Sequence, residues 1–133
     1  MYGICLLRGF VFVTVCLVLS GCRQQRTFAP TYSVHGAVTL DKKPLAQGTI
    51  TFISAETGDL QALAIKDGQY EGQARAGNRR VEIRAYHPRK GPPKPLEPPP
   101  HNYLPSRYNA ETTLKANVTS EGPNSFDFEL RSK

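Results

Sequence analysis

The chain has 133 residues, and 17 Lys and Arg against 11 Asp and Glu give a formal net charge of +6. That length allows one domain, and a mean hydropathy of -0.40 with 21% charged residues excludes both a disordered polyelectrolyte and a bundle of membrane spans. All three cysteines (Cys5, Cys16, Cys22) fall in the first 22 residues, which excludes a disulfide scaffold, a Cys-type zinc site and a Cys nucleophile from the rest of the chain.

The N-terminus reads as an export signal. Arg8 and the amino terminus supply positive charge, and Phe10 to Leu19 is an apolar run interrupted only by Thr14, too short for the roughly 20 apolar residues of a membrane-spanning helix. Leu19-Ser20-Gly21-Cys22 follows and resembles the lipobox of bacterial lipoprotein signal peptides. Small side chains let a peptidase approach the scissile bond, and the thiol can carry a diacylglyceryl thioether. The resemblance implies a signal peptide over 1–21, lipid attachment at Cys22 and a polar tether over 22–32. The expected location is the cell envelope, exported and held on a membrane through Cys22, with the outer membrane facing periplasm or surface as one placement.

From Ser33 to Arg131 the pattern is strand, turn, strand. Ser33 to Leu40 alternates, with Val34, Gly36, Val38 and Leu40 on one face, and Asp41-Lys42-Lys43-Pro44 ends it as a turn. Gln47 to Ser54 turns Ile50 and Phe52 inward, and Leu60 to Lys66 leads to Asp67-Gly68, a two-residue hairpin signal. Gln69 to Arg75 is anchored by Tyr70, and Gly77-Asn78 reads as a further tight turn before Arg79 to His87, where Val81, Ile83 and Ala85 face inward. Pro88 to Pro105 holds 8 of the 11 prolines. Regular alternation resumes over Glu111 to Thr119 and, after Gly122-Pro123-Asn124, over Ser125 to Arg131. The expectation is an all-β domain over 33–131, a seven-stranded prealbumin-like or immunoglobulin-like β-sandwich with a proline-rich loop at 88–105. About sixteen apolar side chains would fill its core at roughly 1.5–3 kcal/mol each.

The run Val34-x-Gly36-x-Val38-Thr39-x-Asp41-x-x-Pro44-Leu45-x-x-Gly48-x-Ile50-x-Phe52 resembles carboxypeptidase regulatory-like domains, which are transthyretin-like β-sandwiches. Asp67-Gly68-x-Tyr70, Gly77 and Val81-x-Ile83 continue that likeness. Leu104-Pro105-x-x-Tyr108-Asn109-x-x-Thr112-x-Leu114 and Asn124-x-Phe126-x-Phe128-x-Leu130 resemble the small lipoproteins of planctomycete-type bacteria that carry the domain. One departure is Lys42, where the family commonly has Gly. The resemblance implies a non-catalytic envelope module and transfers no catalytic residues, so no enzyme activity is expected.

Sites are sparse. His35, His87 and His101 lack zinc-ligand spacing, and Asp41, Asp59 and Asp67 sit in separate turns rather than in a calcium loop, so no metal or cofactor is expected. Arg79, Arg80, Arg84, Arg89, Lys90 and Lys94 crowd one strand and the loop after it. Arg80, Glu82, Arg84 and Tyr86 share the outward face of that strand. The plain reading is a solvated face; the alternative is a surface for an anionic glycan, another envelope polymer or an envelope protein, using Arg80, Arg84, Tyr86, Arg89, Lys90 and Tyr103. Nucleic acid is not an expected partner. The proline-rich segment is either an arm presenting Leu96, Tyr103 and Leu104 to a partner groove or a stiff crossover between two sheets.

Overall fold

The computed structural model describes residues 29–92 and 94–133. The signal segment, Cys22 and the tether as far as residue 28 lie outside the described residues. The strands are β1 (Thr31–Leu40), β2 (Lys43–Pro44), β3 (Gln47–Ser54), β4 (Leu60–Lys66), β5 (Gln69–Arg75), β6 (Gly77–Arg84), β7 (Lys115–Val118), β8 (Asn124–Ser125) and β9 (Phe128–Leu130). One 3-10 turn, Ser106–Tyr108, interrupts the connection from β6 to β7.

The all-β class stands. The strands form one antiparallel path, β2-β1-β5-β4-β3-β6-β7, which curls around a single core, while β8 and β9 pair with β1 in parallel. The step from β4 to β5 is a single residue pair, Lys66 with Gln69. Beyond it the hairpin splays, and Leu63 fills the gap so closely that a Cβ on Gly72 would lie 2.4 Å from its Cδ2. Among the described residues sixteen apolar ones are buried, led by Phe52, Ile50, Ile65, Ile83 and Leu130. Their alternation along β1, β3 and β6 follows from the two-residue period of a strand.

Several boundaries differ from expectation. β1 begins at Thr31, because Pro30 accepts a hydrogen bond from Ala76 N–H at 2.8 Å and draws the end of the tether into the sheet. Gly77 and Asn78 make no tight turn; they are the first residues of β6 and pair with Val118 and Asn117. β5 and β6 are not neighbours in the sheet, so no hairpin is required there. The strand expected over 111–119 shortens to β7, because Thr112 turns inward and its hydroxyl donates to Val81 O at 2.8 Å. The last expected strand divides into β8 and β9, between which Asp127 Oδ1 accepts from Ala37 N–H at 2.8 Å. Asn124 ties the two ends of the path together: its side-chain amide donates to Thr119 O at 2.9 Å and Ser33 O at 3.3 Å, and its carbonyl accepts from Thr119 N–H at 2.9 Å.

The turns sort to two poles. The chain enters at one pole, where Thr31 pairs with Arg75 and Gly77 with Val118. At the other pole lie the 41–42 and 67–68 turns, the exit from β6 and the C-terminus; Asp41 N–H donates to Leu130 O at 2.9 Å, and Gly68 N–H to Leu45 O at 2.8 Å. Both of those turns hold two consecutive residues at positive φ: Asp41 at 50° and Lys42 at 66°, Asp67 at 50° and Gly68 at 75°. That is the backbone of a type I′ hairpin, which favours glycine at the second position. Lys42 stands where glycine is favoured and is exposed. A left-handed non-glycine residue costs roughly 1–2 kcal/mol, partly offset by glycine's greater freedom in the unfolded chain. Lys42→Gly is therefore expected to raise the melting temperature by about 2–6 °C, measured by thermal unfolding.

Candidate functional site

Four polar constellations stand out. The first is the outer face of β6. Glu82 is half-buried, its side chain 12% exposed, and receives both neighbouring guanidinium groups: Arg80 Nη2 at 2.9 Å from Oε1, and Arg84 Nη2 at 2.9 Å from Oε2. The expected cationic stripe is thus a triad of net charge +1 on which one carboxylate is shared. Exposed ion pairs of this kind contribute little to stability, but sharing Glu82 lowers the field available to an anionic ligand. Tyr86 lies one step further along, half-buried, bridged to Asn102 and accepting from Gln47 Nε2 at 3.3 Å through its carbonyl.

The second is the proline-rich segment. It joins β6 to β7, which are adjacent antiparallel strands, so it is an excursion from one edge of the path and not a crossover between sheets. Its base is fastened: Ala85 N–H donates to Asn102 Oδ1 at 3.0 Å, and Tyr103 N–H to Ala85 O at 3.0 Å. Leu104 is 5% exposed and belongs to the core, and Tyr103 packs against the core with its ring stacked on His87 at 4.6 Å. Leu104 is therefore not presented to a partner, which corrects that part of the expectation for an arm carrying Leu96, Tyr103 and Leu104, while Tyr103 is half-buried. Leu96 alone of the three is fully exposed, at the tip of a turn where Glu97 N–H donates to Lys94 O at 3.2 Å. Arg89, Lys90 and Lys94 are exposed beside it.

A third feature is an open groove of about 780 Å³ over β1, β5 and β8. His35 lies in it between Glu71 and Ser125 in the sheet register, with Asp127, Lys66 and Gln69 around it. A hydroxyl, an imidazole and a carboxylate in one row are the residue types of acyl-transfer chemistry, yet among the described residues no hydrogen bond joins the three side chains. Asp127 is occupied by Ala37 N–H. Sequence alternation placed His35 on the outer face; bringing Ser125 and Glu71 alongside it needs the pairing of three strands distant in sequence.

The fourth is a buried clasp at the entry pole, whose two partners lie too far apart in sequence for alternation to join them. Arg79 is 3% exposed, and its Nη1 lies 3.1 Å from Asp59 Oδ2 and 3.2 Å from Oδ1. Its remaining donors reach Arg75 O at 2.9 Å and Ala76 O at 2.7 Å. Arg75 Nη1 and Gln61 Nε2 each lie 3.1 Å from the same carboxylate oxygen, and the Thr57 hydroxyl donates to the other. Burial acts to raise the Asp59 carboxyl, but the donors from Thr57, Gln61, Arg75 and Arg79 outweigh it and hold the group well below the usual carboxylate range. Arg79 is thereby removed from the expected basic stripe. Among the described residues no cluster of three or more His, Cys, Asp and Glu is arranged to hold a metal, and no helix is long and apolar enough to cross a membrane. No family model, curated protein or solved structure matches the chain.

Proposed function

We propose that this chain is a non-catalytic, lipid-anchored cell-envelope protein, whose β module holds a compact structural or protein-interaction surface off a membrane. Cys22 carries the anchor after removal of residues 1–21. The body is a carboxypeptidase regulatory-like domain, a reading supported by the roles of its matched residues: Gly36 and Gly48 at close backbone approaches, Gly68 at positive φ, and Tyr70 with its hydroxyl on a backbone carbonyl. Among the described residues the two halves of the strand path are paired in register at Lys66 and Gln69 alone, which supports its description as a prealbumin-like sandwich.

The observation that carries this reading is the polarity of the body. The chain enters at one pole through Pro30 and Thr31, so an acyl group at Cys22 is separated from the first strand by a short polar segment, and the fastened proline-rich arm stands at the opposite pole. Conspicuous side chains serve the frame: Arg79 and Asp59 lock a corner, Asn124 closes the path, and Tyr70 holds the link into β9. The test is mass spectrometry of the N-terminal peptide from a lipoprotein-processing bacterial host. A diacylglyceryl adduct on Cys22 is the expected result, and Cys22→Ser is expected to move the chain from the membrane to the soluble fraction. An unmodified mature cysteine sinks the proposal.

A further inference from the structure

We propose that the pole opposite the chain entry, built on the exposed proline-rich arm, binds an acidic polysaccharide. Its orientation away from the membrane rests on the anchored reading above; the binding itself does not.

The argument begins with where charge lies. At the entry pole Arg75 and Arg79 share the Asp59 carboxylate, and in the middle of β6 Arg80 and Arg84 share Glu82. Arg80 and Lys115 face each other across β6 and β7, while most exposed cations among the described residues, including Lys42, Lys43, Arg89, Lys90, Lys94 and Arg107, lie at the far pole. Its acids are Asp41, Asp67, Glu97, Glu111 and Glu129, and three of them face protein donors. Asp41 Oδ1 accepts from Ser132 N–H at 3.0 Å, Glu97 Oε2 from Lys94 N–H at 3.3 Å, and Glu111 from the Ser106 hydroxyl. The cations of the arm have no such partners among the described residues: Arg89, Lys90 and the Lys94 ammonium make no ion pair, so their charge faces solvent.

Shape fits the same partner. Pro88, Pro92, Pro95 and Pro98 to Pro100 restrict the arm, so its cations are displayed at little further entropic cost on binding. At the same pole an open cleft of about 530 Å³ is lined by Thr39, Asp41, Lys42, Glu129, Leu130 and Arg131, two cations against two acids, so the arm and not the cleft carries the excess positive charge. A flexible chain with repeated anionic groups can meet several cations of the arm at once, whereas a small anion meets only scattered charges. The anchoring bilayer is a poor candidate for these cations. The ten residues of β1 span about 33 Å, several times the Debye length of about 8 Å at physiological ionic strength.

The experiment uses the full chain purified in detergent, immobilised polygalacturonate as the acidic probe and dextran as the neutral one. Expected are binding to polygalacturonate that weakens steeply with salt, and none to dextran. Combining Arg89→Glu, Lys90→Glu and Lys94→Glu, all at exposed loop positions, is expected to weaken binding by about tenfold or more. Arg80→Glu with Arg84→Glu, which reverses two charges on the outer face of β6, is expected to stay within about twofold. No binding at low salt, or an equal loss in both variants, overturns the proposal. So does a loss on Leu96→Ser without a loss on charge reversal, which would point to an apolar pocket on a protein. Cys22→Ser is expected to bind polygalacturonate unchanged, so failure of the anchor and failure of the polymer site are read separately.

Discussion

Asp59→Asn is expected to destabilise the protein by about 3 kcal/mol at neutral pH, seen as a fall in melting temperature of roughly 12–24 °C. Asn keeps the shape of the side chain and removes its charge, leaving the 3%-exposed Arg79 without a counter-ion. A buried pair broken on one side costs about 3–5 kcal/mol; the lower end applies because the side chain of Arg75 is 25% exposed and can rehydrate. Adding Arg79→Met to Asp59→Asn is expected to recover part of the loss, because the second change removes the stranded charge. The acid limb gives an independent check. The Asp59 carboxyl is held below its ordinary value in the folded protein, so the unfolded chain binds its proton first. The resulting stability is complete above the unfolded carboxylate value of about 3.9 and is lost as pH falls from there toward the folded value. Denaturant midpoints of the parent and Asp59→Asn should therefore differ most at neutral pH and converge in strong acid. A gap that is unchanged between neutral and acid conditions would show that charge is not what Asp59 contributes.

The same clasp explains why the sequence was partly legible. Binary alternation located β1, β3, β4, β5 and most of β6, because each presents an apolar residue at every second position and ends at Asp, Gly or Pro. Alternation also assigns Arg79 to the inner face, together with Val81 and Ile83, but a charged residue there reads as surface until its partner is known. That partner is Asp59, 20 residues earlier in a turn, and its role depends on the long-range pairing of β3 with β6. Leu104 was misplaced for a related reason. Proline-rich surroundings mark an exposed segment, yet the return of the chain at Asn102 pairs with Tyr86 and carries Leu104 into the core. The basic stripe was legible as a list of charges and not as a field, since the geometry by which Glu82 takes both arginines lies in the side chains. Of the candidate surface, Arg89 and Lys90 are exposed and away from carboxylates, whereas Arg80, Arg84 and Tyr103 are engaged within the protein.

Gly36→Ala is expected to cost about 4 kcal/mol, enough to leave a domain of ordinary stability marginal. The reason is a three-way approach in which no component can move cheaply. A Cβ at Gly36 would lie 2.0 Å from Phe126 O, 2.7 Å from Phe126 C and 2.9 Å from Tyr70 Oη. Two of those atoms are backbone. The Phe126 carbonyl is also fixed from the other side, accepting from the Tyr70 hydroxyl at 2.7 Å, while Phe126 N–H donates to His35 O at 3.0 Å. Accommodating one methyl group means lifting the β8–β9 link from β1, which withdraws Phe128 and Leu130 from the core and strands a phenol that burial already pushes above its ordinary pKa. Overpacking accounts for about 1–3 kcal/mol of the cost and the lost hydrogen bond for about 1–3 kcal/mol. Tyr70→Phe separates the two: it removes the hydroxyl without adding volume and is expected to cost about 1–2 kcal/mol. The double variant should be less destabilised than the sum, because the methyl group and the hydroxyl compete for the same space. Chemical denaturation of the three variants measures each quantity, and a cost below about 1 kcal/mol for Gly36→Ala would mean that the parallel pairing of β8 and β9 is not held against β1 through this contact.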